Sequence, residues 1–251
     1  MAAYLKRDGK PDLAYVQTKA QEQGAHLPTV VFLAGFRSDM EGTKATFLEE
    51  RCKDRGQAYI RFDYSGHGIS KGAFEDGTIS QWTDDSLAIL DQIAASNSIL
   101  LVGSSMGGWI SLLCALKRPD QICGLVGLAA APDFSTDMKN KMTEEQRTLM
   151  ESQGYIDVPN AYSDEPYKIT KNLIEDGDKN CLLKGGIGID IAVRLIQGMK
   201  DDDVEWQHAH RIKNAITGDD VEVLLIEDAD HRLSRPQDLE IIDKTVIELS
   251  S

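Results

Sequence analysis

Apolar residues in this chain come in short unbroken runs, separated by segments where they recur every three or four positions. Val30-Val31-Phe32-Leu33 follows Thr29 and ends at Ala34-Gly35, the pattern of a parallel strand buried on both faces. Residues 42–55 then read as a helix, Ala58–Phe62 as a strand and Trp82–Ala95 as a helix. Ile99–Val102 reads as a strand, Met106–Lys117 as a helix stopped by Pro119, and Ile122–Ala130 as a strand rich in small residues. Near the start, extended stretches around Tyr4 and over Leu13–Thr18 flank Asp8-Gly9-Lys10-Pro11, which predicts a hairpin.

The alternation breaks over residues 133–188, a polar stretch with two short helical patterns at 143–153 and 166–176. It resumes with strand Ala192–Ile196, helix Trp206–Ile216, strand Val221–Ile226 and helix Pro236–Leu249. Strand–helix alternation on both sides of the break predicts one α/β domain, a doubly wound, mostly parallel sheet. Residues 1–132 and 189–251 form the expected core, and 133–188 form an expected small helical cap. Its apolar residues (among them Met138, Met142, Leu149, Met150, Leu173 and Ile174) exceed what an exposed loop tolerates.

Composition narrows the partners. Across 251 residues, 41% hydrophobic content suffices for a sizeable core, and a net charge of −14 argues against nucleic acid, whose phosphates need clustered Lys and Arg. The four cysteines are scattered without close pairs, so no metal site is expected and a reducing compartment fits. Cys114 and Cys123 sit in apolar surroundings, where cysteine packs as a small hydrophobe. The first twenty residues show neither a secretory nor a transit pattern, and no window is long and apolar enough to span a bilayer. The expectation is a soluble, cytoplasmic protein.

The chemistry concentrates where strand 99–102 runs into Gly103-Ser104-Ser105-Met106-Gly107. A nucleophilic serine must be lifted out of the sheet by a sharp strand-to-helix turn, which crowds the positions two before and two after it and favours glycine at both. With Ser105 as nucleophile those positions are Gly103 and Gly107; with Ser104 they are the bulkier Val102 and Met106. Ser105 is therefore the candidate. No phosphate-loop pattern follows any strand.

Such a serine needs a base, and the base an orienting acid, in the chain order Ser, acid, His. Of five histidines, His26 and His67 precede the serine, while His208 and His210 fall in an amphipathic segment and read as a solvated helix face. His231, a short loop beyond strand 221–226, lies at the required sheet edge. For the acid, a tight turn at Gly198 aims the third residue inward and selects Asp201. Asp203 is second, and Asp133, one strand earlier, is the topological alternative. Two backbone N–H groups are needed for an oxyanion, and the candidates are Met106, after the nucleophile, and Phe36, in the loop after strand 29–33.

These residues resemble the α/β-hydrolase superfamily. The likeness runs through the Gly35-Phe36 loop, RFDYSGHGIS (61–70), GSSMGGW (103–109), GMKDDDV (198–204) and DHR (230–232), and the superfamily's G-x-x-D-x-x-V falls on Gly198, Asp201 and Val204. Together with GTKA (42–45), these segments are most similar to members acting as acyl-protein thioesterases and acyl-glucuronide esterases. Two positions depart from the pattern: Glu205 replaces the proline usual after the valine, and the oxyanion loop starts with Ala34. The resemblance implies a Ser105–Asp201–His231 triad, a cap over the pocket, and hydrolysis of small-molecule or acyl-protein esters and thioesters without cofactor or metal. Carbon–carbon bond hydrolysis by the same triad, or a receptor-like protein that keeps the pocket without turnover, are the alternatives.

Overall fold

The computed structural model describes residues 2–94, 96, 98–159 and 166–251. The expected end of one helix at Ala95 and residues 160–165 of the insertion lie outside the described residues.

Eight strands form one sheet: β1 (Ala3–Leu5), β2 (Leu13–Thr18), β3 (Thr29–Leu33), β4 (Tyr59–Phe62), β5 (Ile99–Ser104), β6 (Ile122–Leu128), β9 (Ala192–Gly198) and β10 (Val221–Ile226). Their order is β1-β2-β4-β3-β5-β6-β9-β10. The N-terminal hairpin pairs antiparallel, Tyr4 opposite Ala14, and β2 joins β4 antiparallel; the remaining neighbours are parallel. Every residue of β3, β4 and β5 is buried, as their unbroken apolar runs require.

The connections run through α1 (Thr43–Asp54), α2 (Ile79–Ile89), α3 (Met106–Lys117) and α7 (Gln207–Ala215), and α8 (Pro236–Leu249) follows β10. The chain leaves β3 for β4 on one side, then returns to place β5 on the other. Right-handed crossovers in opposite directions put their helices on opposite faces, and α1 packs with α8 while α2 packs with α3. The connections leaving the carboxyl ends of β3 and β5 run in opposite directions at this reversal, the place where open α/β sheets form a crevice. Helix α2 begins three residues before the expected start because the Thr78 side chain accepts the Gln81 N–H.

The interrupted stretch holds more structure than its pattern predicted. It contains α4 (Phe134–Lys141), α5 (Glu144–Gln153), the antiparallel pair β7 (Tyr155–Val158) and β8 (Tyr167–Thr170), and α6 (Lys171–Lys179). The helix expected over 166–176 is thus a strand followed by a helix, joined where Thr170 caps the Leu173 N–H. Ile156 and Ile169 pack with Met150 and Ile174 into a small separate core, flanked by Met138 and Met142. That core supplies the burial that makes the short hairpin and helices stable together.

Two further expectations are corrected. Cys123 is exposed, although Cys114 is buried. His208 is buried rather than solvated: its Nε2 meets the Pro132 carbonyl at 3.0 Å and its Nδ1 meets Arg211 at 2.6 Å, whereas His210 is exposed. Helix α7 presents His208 to the base of the inserted segment, a contact its local periodicity does not encode.

Asp133 has a positive φ of 63° and anchors that base. Its carboxylate accepts the N–H groups of Leu182 (2.8 Å) and Leu183 (2.9 Å), which ties the segment's return to its departure. Asp133→Ala leaves two backbone donors without this acceptor and is expected to destabilise the fold by about 1–3 kcal/mol, read as a lowered urea midpoint.

Candidate active site

Strand β5 ends at Ser104, and Ser105 turns the chain into α3 with φ 53° and ψ −116°. This is a strained conformation for a residue with a Cβ, and close packing enforces it. A Cβ on Gly107 would fall 2.1 Å from the Leu33 carbonyl oxygen, and one on Gly103 would fall 2.4 Å from that of Gly107. Only with glycine at both positions can β5, β3 and α3 meet this closely. The elbow is pinned from below by Ser105 N–H donating to the Leu128 carbonyl (2.9 Å) and from the side by Ala131 N–H donating to the Ser105 carbonyl (3.0 Å). Ser104 is buried; Ser105 is half-buried and lines a cavity of about 440 Å³.

His231 lines the same cavity from the loop after β10. Its Nδ1 donates to Oδ2 of Asp201 at 2.8 Å, and the Asp201 side chain is fully buried. Oδ2 also accepts the Gln197 side-chain amide (2.8 Å), and Oδ1 accepts the N–H groups of Asp203 (2.9 Å) and Val204 (2.8 Å). Burial pushes the Asp201 carboxyl up, but the His231 hydrogen bond and charge, with the Val204 N–H and the Gln197 amide, outweigh it and hold the group below the usual carboxylate range. The aspartate that faces the histidine is therefore Asp201. Asp203 is exposed at the cavity rim, and the Asp133 carboxylate is directed at Leu182 and Leu183.

Asp201, Asp203 and His231 each bring a ligand-capable atom within 4.8 Å of the others. Cation binding there competes with four hydrogen bonds that already occupy the lone pairs of Asp201, so the chemistry of this donor set favours orienting an imidazole over holding a metal.

Met106 opens α3, and the first N–H groups of a helix have no intrahelical acceptor. Across the cavity, the Gly35 backbone lies against Ser105, 3.4 Å separating its Cβ position from the Ser105 Cβ. The Phe36 ring meets Phe74, Trp82, Phe134 and Tyr167 edge-on, which fixes its backbone between the core and the inserted segment.

The sequence reading missed what holds this loop. The RFDYSGHGIS segment braces it: Asp63 accepts the Met40 N–H (2.7 Å), Arg61 donates to the Met40 carbonyl (2.9 Å), and His67 Nε2 accepts the Arg37 N–H (3.3 Å). Burial lowers His67 to about 4, so its imidazole is neutral near pH 7 and keeps an acceptor nitrogen for that contact. The signal was present in the motif, but its meaning depends on a loop some thirty residues earlier.

From the inserted segment, Phe134, Met138 and Tyr167 line the cavity. Of the apolar residues expected there, Met138 is the one that reaches it. Leu173 and Leu182 join the main core, Met150 and Ile174 the small one, and Leu149 is exposed.

Residues 24–213 match the family model described as serine aminopeptidase, S33 (Hydrolase_4). The palmitoyl-protein thioesterase ABHD10, mitochondrial, of Bos taurus is 38% identical over 248 residues, covering 98% of this chain and 79% of that protein. Among solved structures, an Agrobacterium vitis S4 protein superposes with a TM-score of 0.93 at 38% identity, covering 100% of this chain and 98% of its own. Mouse alpha/beta hydrolase domain-containing protein 10 gives a TM-score of 0.91 at 36% identity, covering 99% and 98%. The bovine and human relatives are mitochondrial proteins by name, which overturns the expectation of a cytoplasmic protein. The composition of residues 1–20 describes those residues and carries no information about compartment. No helix among the described residues is long and apolar enough to cross a membrane. With residues 24–213 matched by the family model and an ABHD10 relative aligned over 98% of its length, the chain belongs to the Hydrolase_4 (serine aminopeptidase, S33) family and has the α/β-hydrolase fold.

Proposed function

We propose that this protein hydrolyses acyl esters or thioesters, on small molecules or acylated proteins, through an acyl-enzyme formed on Ser105. The observation that carries this reading is the 2.8 Å hydrogen bond from His231 Nδ1 to the buried Asp201 carboxylate, beside a cavity that a strained serine elbow enters. With Nδ1 held as a donor, Nε2 is the basic nitrogen that takes the Ser105 proton as Oγ attacks the acyl carbonyl. The N–H groups of Met106 and Phe36 would receive the oxyanion. His231 then returns the proton to the departing alcohol or thiol, and water releases the acyl group by the same steps reversed. The thioesterase relatives support the substrate class.

Residues 133–188 act in this reading as a cap. Phe134, Met138 and Tyr167 give the cavity an apolar wall suited to an acyl chain, and the thioether of Met138 adapts to chains of different shape.

Ser105→Ala is expected to lower hydrolysis of p-nitrophenyl esters by at least about a thousandfold and to abolish fluorophosphonate labelling, with the melting temperature retained. Ser104→Ala should keep substantial turnover; the reverse pattern would overturn the assignment of the nucleophile. Asp201→Asn should reduce kcat by roughly ten-thousandfold, because the amide stabilises the wrong imidazole tautomer, while Asp203→Asn has a mild effect. A comparable loss in Asp203→Asn would move the acid. Met138→Ala and Tyr167→Ala should shift chain-length preference more than they lower activity on the shortest ester, as measured by kcat/KM across an ester series. Equal loss at every length would remove the cap from specificity.

A further inference from the structure

Lys44 lies in the first turn of α1, directly after the oxyanion loop, and lines the cavity together with Ser105 and His231. Its side chain is half-buried. Its Nζ donates to the backbone carbonyl of Arg232, the residue next to His231. The same carbonyl accepts the Ser234 hydroxyl at 2.9 Å.

The rest of the His231 loop is organised from its own side. Asp230 accepts the N–H groups of Arg232 (3.0 Å) and Leu233 (3.2 Å), and Arg235 binds Asp228 and Asp238 at the start of α8. These contacts shape the loop without relating it to the elbow or the oxyanion loop. Lys44 makes that relation directly. Farther along α1, Arg51 pairs with Glu240 on α8, and Arg55, the residue after its end, pairs with Asp243 (2.7 Å), so the far end of the helix is anchored to the element that follows the loop.

We propose that Lys44 is a positioning residue: its ammonium ties the His231 loop to the oxyanion side of the cavity and holds the base in register with Ser105. This rests on the hydrolase reading above. A displacement of the base on the order of 1 Å is enough to slow such chemistry about a hundredfold, so one charged hydrogen bond at this point has leverage beyond its own strength.

The tie depends on charge, and its surroundings set the pH at which it weakens. Burial lowers Lys44 to about 8; Asp230, Asp238 and Asp201 act to raise it, and Arg232 acts to lower it further. The other titratable groups lining the cavity are His231, Asp203, Arg37 and Tyr167. The ammonium is charged below about 8 and lost above it, so the tie is strongest at neutral pH and weakens as pH rises through that value.

The test compares wild type, Lys44→Met and Lys44→Arg in the full chain. It uses p-nitrophenyl butyrate turnover from pH 6 to 9.5 and the rate of fluorophosphonate labelling, with melting temperatures alongside. Lys44→Met is expected to lower kcat and labelling rate by about tenfold or more, with KM within about twofold, and to lose the wild-type decline in kcat above pH 8. Lys44→Arg, which stays charged across this range, should recover most of the rate and keep it to higher pH. Wild-type kinetics and profile in Lys44→Met, or a rise in KM at constant kcat, would overturn the proposal. If Lys44→Met fails to fold, the alkaline profile of Lys44→Arg decides, and an unshifted decline overturns it. Failure of wild type to label at Ser105 would instead overturn the hydrolase reading.

Discussion

A side chain leaves a strand buried on both faces only if the backbone turns abruptly at the strand end, and the rest of this site is arranged around that turn. The positive φ of Ser105 is an unfavourable conformation held by its surroundings: carbonyl groups of β3 and α3 pack where any Cβ on Gly103 or Gly107 would stand. The strain is offset by the packing it permits, because close approach brings the first N–H groups of α3 and the end of β3 to the same point in space. A parallel sheet then places the loops after β9 and β10 on the same edge, so the histidine and its aspartate need only short connections to reach it.

Electrostatic order in the site comes from buried, fully partnered groups. Asp201 has no exposed side-chain surface and four hydrogen bonds, so it remains an anion in a place where an unpartnered carboxylate would be neutral. The loop after β3 is held in the same way by Arg61, Asp63 and a neutral His67. Rigid polar scaffolding on both walls leaves the cavity itself apolar where Phe134, Met138 and Tyr167 face it. The proposed hydrolysis of acyl esters and thioesters draws on that combination.

The inserted segment shows how a short stretch of chain becomes stable without a large core of its own. Met150, Ile156, Ile169 and Ile174 make a second small cluster, and Asp133 closes its base by binding Leu182 and Leu183. Trp109 Nε1 donates to the Asn180 carbonyl at 3.1 Å, which anchors the returning helix to α3. The segment's two ends are therefore joined to each other and its return is anchored on α3, the helix that follows Ser105, and its similarity to ABHD10 relatives extends across it.

Local pattern determined a good deal of this protein. Unbroken apolar runs marked the buried strands, Gly103 and Gly107 selected Ser105 over Ser104, and chain order pointed past His208 and His210 to His231. Each of these follows from constraints acting within a few residues: strand burial, elbow crowding, loop length. What tertiary structure alone decided involves partners far apart in the chain. It decided among the three candidate aspartates by setting Asp201 against His231 and turning Asp133 to Leu182, buried His208 beneath the inserted segment, and formed a hairpin from Tyr155–Val158 and Tyr167–Thr170 by giving Ile156 and Ile169 a common core. It also brought Lys44 to the carbonyl beside His231, 188 residues away in sequence. Periodicity records which face of an element is apolar, but a hydrogen bond between distant residues leaves no periodic trace, and only the folded chain shows which donor meets which acceptor.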